Sequence, residues 1–167
     1  MNLEQLHLPK GPWLHVLVGH ESAACDLAWD FAKSARHAVA RVIRGQKART
    51  TNDLFDEVAA ALQFPCYFGE NWNAFDECLA DLEWLPANAY AIFITNSMQL
   101  LDKENSEEQH RFFNILARQG REWSMPAVGE HPRPAKAFHI VLQCAKEDEA
   151  ALTQKLQAAK VALDVLK

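Results

Sequence analysis

Five positions in one short stretch, Asn73, Asp76, Glu77, Ala80 and Asp81, are spaced at offsets 0, 3, 4, 7 and 8. On an α-helix that spacing places them on one side, with the carboxylates of Asp76, Glu77 and Asp81 in a row. Trp72, Phe75, Cys78, Leu79 and Leu82, at offsets 0, 3, 6, 7 and 10, form an apolar stripe on the opposite side. Like charges one and four residues apart disfavour a helix by a few tenths of a kcal/mol each, and no Lys or Arg lies near in sequence to compensate. Carboxylates held at fixed spacing imitate a row of phosphates and could fill a cationic cleft built to hold nucleic acid. A solvated face with no partner is the plainer reading of the same residues.

Other chemistries have thinner support. The seven histidines are scattered, and HExxH, GxSxG, P-loop and GxGxxG patterns are absent from the sequence. Cys25, Cys66, Cys78 and Cys144 make no CxxC pair and no Cys/His cluster at zinc spacing, so reduced and mostly buried thiols are expected, Cys66 among them as a packed thiol after Pro65. Asp53, Asp56 and Glu57 fit the first turn of a helix whose N-terminus takes its acceptors from Thr51, Asn52 and Asp53, which explains them without a metal. No catalytic residue, metal or cofactor is expected, and the chain does not read as an enzyme.

With 167 residues, 49% of them apolar and 23% charged, the chain has the composition of one globular unit that buries a core without staples. The net charge of −5 argues against direct nucleic-acid binding. Its distribution is uneven: residues 1–49 hold 7 basic and 4 acidic residues, 50–102 none and 9, and 103–167 hold 10 and 9. A block of one sign steers partners of the opposite sign. The sequence has neither an apolar run long enough to span a bilayer nor a recognisable secretory leader, so a cytoplasmic, membrane-free protein is expected.

The elements that must position the acidic row alternate between short β-like runs and helical ones. Strands are expected over 13–18, 38–43, 89–95 and 137–143, and helices over 22–34, 51–63, 72–82, 104–123 and 147–161. Residues 126–134, with three prolines and a glycine, read as an irregular loop. Strands separated by helical crossovers favour an α/β fold with a parallel sheet.

The run Tyr67-Phe-Gly-Glu-Asn-Trp-Asn-Ala-Phe-Asp-Glu-Cys-Leu79, followed by Asp81, Leu82 and Pro86, resembles the signature of the barstar family of intracellular ribonuclease inhibitors. The element order over about residues 36–144 is similar too. The resemblance implies an α/β fold, a small parallel β-sheet with helices packed on it, to which the N-terminal strand could add at one edge. It divides the chain into a strand-helix extension, 1–35, and a barstar-like domain, 36–167, within one compact unit. It also implies a protein partner, a secreted or toxin ribonuclease with a basic cleft, blocked by the helix and the turn before it. Carried over by position, Tyr67, Phe68, Gly69, Glu70 and Asn71 form the turn and helix start, and Asn73, Asp76, Glu77, Ala80 and Asp81 the contact face. Trp84 is expected on the rim. The family has aspartates at the positions of Asn73 and Glu77 and an aromatic residue at that of Asp76. These departures point to a cognate enzyme other than barnase, or to a non-nuclease partner.

Overall fold

Short aliphatic strands that alternate with amphipathic segments can bury both faces of a parallel sheet only if helices cover each side. The computed structural model, which describes residues 3–129 and 132–166, is built that way. It runs β1 (Leu14–Val18), α1 (Glu21–Ser34), β2 (Ala38–Arg44), α2 (Thr51–Leu62), α3 (Trp72–Asp81), β3 (Ala89–Thr95), α4 (Ser106–Trp123), β4 (Ala137–Cys144), α5 (Glu149–Ala158) and β5 (Leu163–Leu166). The strands form one parallel sheet in the order β2-β3-β4-β1-β5. Glu130 and His131, inside the expected loop, lie outside the described residues.

The strand order fixes which helix covers which face. The β1-to-β2 crossover runs across the sheet one way and every later crossover runs the other way, so right-handed connections put α1 on one side and α2 to α5 on the other. The core divides accordingly. Leu27 and Phe31 of α1 pack with Leu17, Phe93 and Val141, while Val16, Ile92, Ile94 and Ile140 face the four-helix side.

Two expectations about the ends are corrected. The N-terminal strand does join the sheet, but between β4 and β5 rather than at an edge. The closing helix stops at Ala158; Lys160 then takes a left-handed φ of 58°, and Leu163–Leu166 pairs with β1 as a strand that the reading of 147–161 as one helix passes over. Helix α2 is capped by Thr50, whose hydroxyl accepts from the Asp53 amide while the Asp53 carboxylate accepts from the Thr50 amide, both at 3.2 Å. Of the expected acidic trio only Asp53 serves the helix start; Glu57 binds Arg44 through two side-chain contacts of 2.7 and 2.8 Å. All four cysteines are free, but only Cys78 and Cys144 are buried; Cys25 and Cys66 are exposed. At Cys66 the reason is local, since Phe64 and Phe68 take the inward positions of the turn.

Two glycines are required by close approach. A Cβ on Gly45 would sit 2.5 Å from the carbonyl oxygens of Thr95 and Asn96, and one on Gly120 would sit 2.5 Å from Cγ of Trp13, which lies across α4 at that point.

Neighbouring strands also bury a histidine pair. His139 Nε2 lies 2.9 Å from the Leu8 carbonyl, an acceptor, so this nitrogen carries the proton. His139 Nδ1 then accepts from His15 Nε2–H at 2.9 Å, leaving His15 Nδ1 a buried lone pair with no partner among the described residues. Burial, reinforced by the neighbouring His139 and opposed by Asp164, pulls the His15 pKa from 6.5 down to about 4. That of His139 is also lowered, again chiefly by burial. The unfolded chain takes up protons below its pKa of 6.5 while the folded chain resists them, so stability is full above that value and falls towards pH 4. We expect urea denaturation to show a loss of roughly 2–3 kcal/mol between about pH 7.5 and 4.5. A midpoint that stays constant across that window would exclude a neutral buried pair.

Candidate functional site

The turn between α2 and α3 is held by aromatic rings. Phe68 stands edge-on to Phe55 at 5.7 Å and to Phe64 at 5.1 Å, and Phe75 and Trp72 complete the cluster from α3. With Phe68 turned inward, its neighbour Tyr67 is forced outward and is 71% exposed. Glu70 takes a left-handed φ of 48° to reverse the chain. Asn71 then caps α3: its Oδ1 accepts from the Ala74 amide at 3.0 Å, and its amide nitrogen donates to the Gly69 carbonyl at 3.0 Å.

Helix α3 divides into the two sides that its spacing predicts, with one exception. Phe75, Cys78 and Leu79 are buried, and Glu70, Asn71, Asn73, Glu77, Ala80 and Asp81 are exposed. Asp76 is the exception. Expected in the open row, it instead turns towards α4, where Arg118 Nη2 donates to Oδ2 at 2.7 Å and Gln119 Nε2 to Oδ1 at 2.7 Å. Asp76 lies at the boundary of the two faces, and α4 approaches from that side, so a bidentate set of donors captures it. The same bond raises the Arg118 pKa. Two more contacts fasten α3 to α4: Trp72 Nε1 donates to Glu108 at 2.6 Å and Trp123 Nε1 to the Leu79 carbonyl at 2.9 Å. Sequence reasoning misses Arg118, Gln119 and Glu108, since partners about forty residues apart leave no local signal.

Trp84 is likewise drawn into the support. Its ring stands 6.0 Å from Phe64, and its N–H donates to the Leu62 carbonyl at 3.0 Å.

What remains open is a small pocket of about 170 Å³ lined by Tyr67, Phe68, Ala74, Glu77, Cys78 and Asp81. Glu77 and Asp81 stand one helical turn apart on it, and among the described residues neither has an ion-pair partner. Their charge is felt nearby. The Cys78 thiol is pushed up by burial and then by Asp81 and Glu77, and the Tyr67 hydroxyl by desolvation and then by Asp81. Beyond Asp81 a wider groove of about 560 Å³ separates the end of α3 from Arg133 and Lys136. Arg133 lies 4.0 Å from the centre of the Trp123 ring and donates to the carbonyls of Glu122, Trp123 and Met125, which ties the proline-rich segment to the end of α4. No group of three or more His, Cys, Asp or Glu among the described residues could hold a metal ion, and no helix among them is long and apolar enough to cross a membrane. The arrangement has the form of a binding surface: a rigid helix with two uncompensated carboxylates, an exposed tyrosine beside them and a shallow pocket between.

An α/β domain with such a surface on the helix after a Tyr-Phe-Gly-Glu-Asn turn matches the family model described as Barstar (barnase inhibitor) over residues 38–143. The chain belongs to the Barstar family. None of the curated proteins matches it. Among solved structures the fold is similar to a chain in a structure of Drosophila ORC bound to GC-rich DNA and Cdc6, at 13% identity and a TM-score of 0.52, covering 95% of this chain and 50% of that one. A chain in the structure of Drosophila ORC bound to AT-rich DNA and Cdc6 is 14% identical with a TM-score of 0.48, covering 96% and 49%. This chain thus spans about half the length of these two structures, and the likeness to the GC-rich DNA complex concerns the fold alone.

If Asp76 is the clamp between α3 and α4, a double-mutant cycle of Asp76→Ala and Arg118→Ala should return a coupling of about 1 kcal/mol in urea denaturation, and Asp76→Ala alone should cost roughly 1–2 kcal/mol by removing the carboxylate acceptor of Gln119 Nε2, which keeps only the residue-76 carbonyl at 3.3 Å. Additive effects would mean that the two side chains do not meet in solution.

Proposed function

We propose that this protein is an inhibitor that fits α3 and the preceding turn into the cationic cleft of a ribonuclease-type enzyme, secreted or acting as a toxin. Glu77 and Asp81 take the place of RNA phosphates, Tyr67 supplies the apolar contact with Phe68 behind it on the pocket wall, and Gly69, Glu70, Asn71, Asn73 and Ala80 complete the surface. Asp76 acts from behind by holding the helix. The observation that carries this reading is the pair of uncompensated carboxylates around an exposed tyrosine, on the helix that bears the family signature. Such a protein acts by occlusion and needs no catalytic group, and its place of action would be the cytoplasm, where an unblocked ribonuclease reaches cellular RNA.

A second reading, a barstar-like module that binds a non-nuclease protein, is favoured by the withdrawal of Asp76 into an ion pair and by the neutral Asn73. The first leaves the contact face with less negative charge than its sequence promises, and the second with less than the family pattern carries.

Calorimetric titration against a barnase-type ribonuclease, and against any toxin encoded beside the gene, at about 50 and 200 mM salt separates the two. The inhibitor reading expects binding that weakens with salt and falls at least about 100-fold in Glu77→Lys/Asp81→Lys. Absence of heat with every nuclease, together with recovery of a non-nuclease partner whose binding is lost in the same variant, would transfer the site to the second reading.

A further inference from the structure

The far side of α4 carries a second surface of opposite sign. A groove of about 520 Å³ runs between α4 and the chain that leads from α5 into β5. Trp13, Ile115 and Val161 give it an apolar lining, and Arg121 and Lys160 face it without an ion-pair partner among the described residues. Arg111 and Arg118 also border it, but each is already engaged, the first with Glu107 and Glu108, the second with Asp76 and Glu122. The groove therefore offers two free cations over an apolar lining, which suits a protein segment bearing a few carboxylates and an aromatic ring better than a polyanionic strand.

This chain itself supplies such a segment. Glu77 and Asp81 flank the exposed Tyr67. The sheet order also places the two surfaces in parallel lanes: α3 is bonded to one side of α4 through Asp76 and Arg118, and the α5 end is bonded to the other through Asn114 Nδ2 and the Ala159 carbonyl at 3.2 Å. A two-fold axis running along α4 in the plane of contact exchanges the lanes, so each copy's α3 lies opposite the other copy's groove, and both contacts form in one closed pair.

We infer that the groove between α4 and the α5-to-β5 connection receives the acidic α3 face of a second copy of this chain, giving a salt-sensitive two-fold dimer. The dimer goes beyond the inhibitor reading and does not depend on it; it needs only the complementarity of the two lanes.

Sedimentation velocity over roughly 5–500 µM protein at about 50 and 300 mM salt tests it. A dimer is expected at low salt, with a dissociation constant about tenfold higher at the higher salt. Glu77→Lys/Asp81→Lys and Arg121→Glu/Lys160→Glu, each on exposed positions and each checked for folding by circular dichroism, should be monomeric alone. Their equimolar mixture should dimerise, because one contact then pairs two reversed surfaces and the other pairs two native ones. The neutral variants Glu77→Gln/Asp81→Asn and Arg121→Gln/Lys160→Gln should weaken the dimer without abolishing it. A monomer at every concentration, a dimer that survives both reversals, or a mixture that stays monomeric would overturn the inference.

Discussion

The burial of Phe75 is the constraint from which the exposed acidic face of α3 follows. Fully enclosed, it has Phe55, Phe64, Trp72 and Phe112 with ring centres between 5.6 and 6.1 Å from its own. Burying aromatic side chains of this size contributes a few kcal/mol each, against tenths for the repulsion between carboxylates along α3. The apolar side therefore decides how the helix sits, and the acidic side goes where that leaves it. Phe68 enters the same cluster from the turn and in doing so expels Tyr67, so the aromatic contact that accompanies the carboxylates is a by-product of the core.

The acidic middle of the chain then divides by distance to cations from outside it. Glu57 is met by Arg44, Asp102 by Arg49 and Asp76 by Arg118, while Asp53 serves the cap of α2. These pairs depress the Glu57 and Asp102 carboxyls through hydrogen bonds to their arginines. Glu77 and Asp81 have no ion-pair partner among the described residues. Of the acids in this block left without such an arginine, Glu77 and Asp81 share one helix face, and their charge is not spent on an internal ion pair.

Much of this was legible in advance because it rests on local rules. The 3.6-residue period placed Phe75, Cys78 and Leu79 inside and Glu77 and Asp81 outside, and the capping residue Asn71 and the strand Ala89–Thr95 followed from side-chain type alone. What was illegible depended on distant partners. Periodicity assigns Asp76 to a face but does not know that α4 approaches from that edge with Arg118 and Gln119. Leu163–Leu166 is too short to separate from a helix end without the strand β1 that pairs with it, and β1 gives no sign that a further strand will cover it. Cys66 illustrates the reverse error, a residue judged apolar enough to bury where two phenylalanines had already filled the inward positions.

Helix α4 links these results. Its inner side fastens α3 at three heights, through Glu108, through Arg118 with Gln119, and through Trp123. Those bonds fix the backbone beneath Glu77 and Asp81, so the spacing of the two charges is set before any partner arrives, and ordering them costs only the freedom of two side chains. Arg118 also borders the groove on the other flank, where it spends its charge on Asp76 and Glu122. Arg118 of α4 pairs Asp76 on one side, while Arg121 of α4 and Lys160 of the α5-to-β5 connection have no ion-pair partner among the described residues on the other, so α4 lies between a negative lane and a positive one. Both lanes thus lie in a single helical layer, with the charges of each held at a spacing set by the packing of α4 against its neighbours.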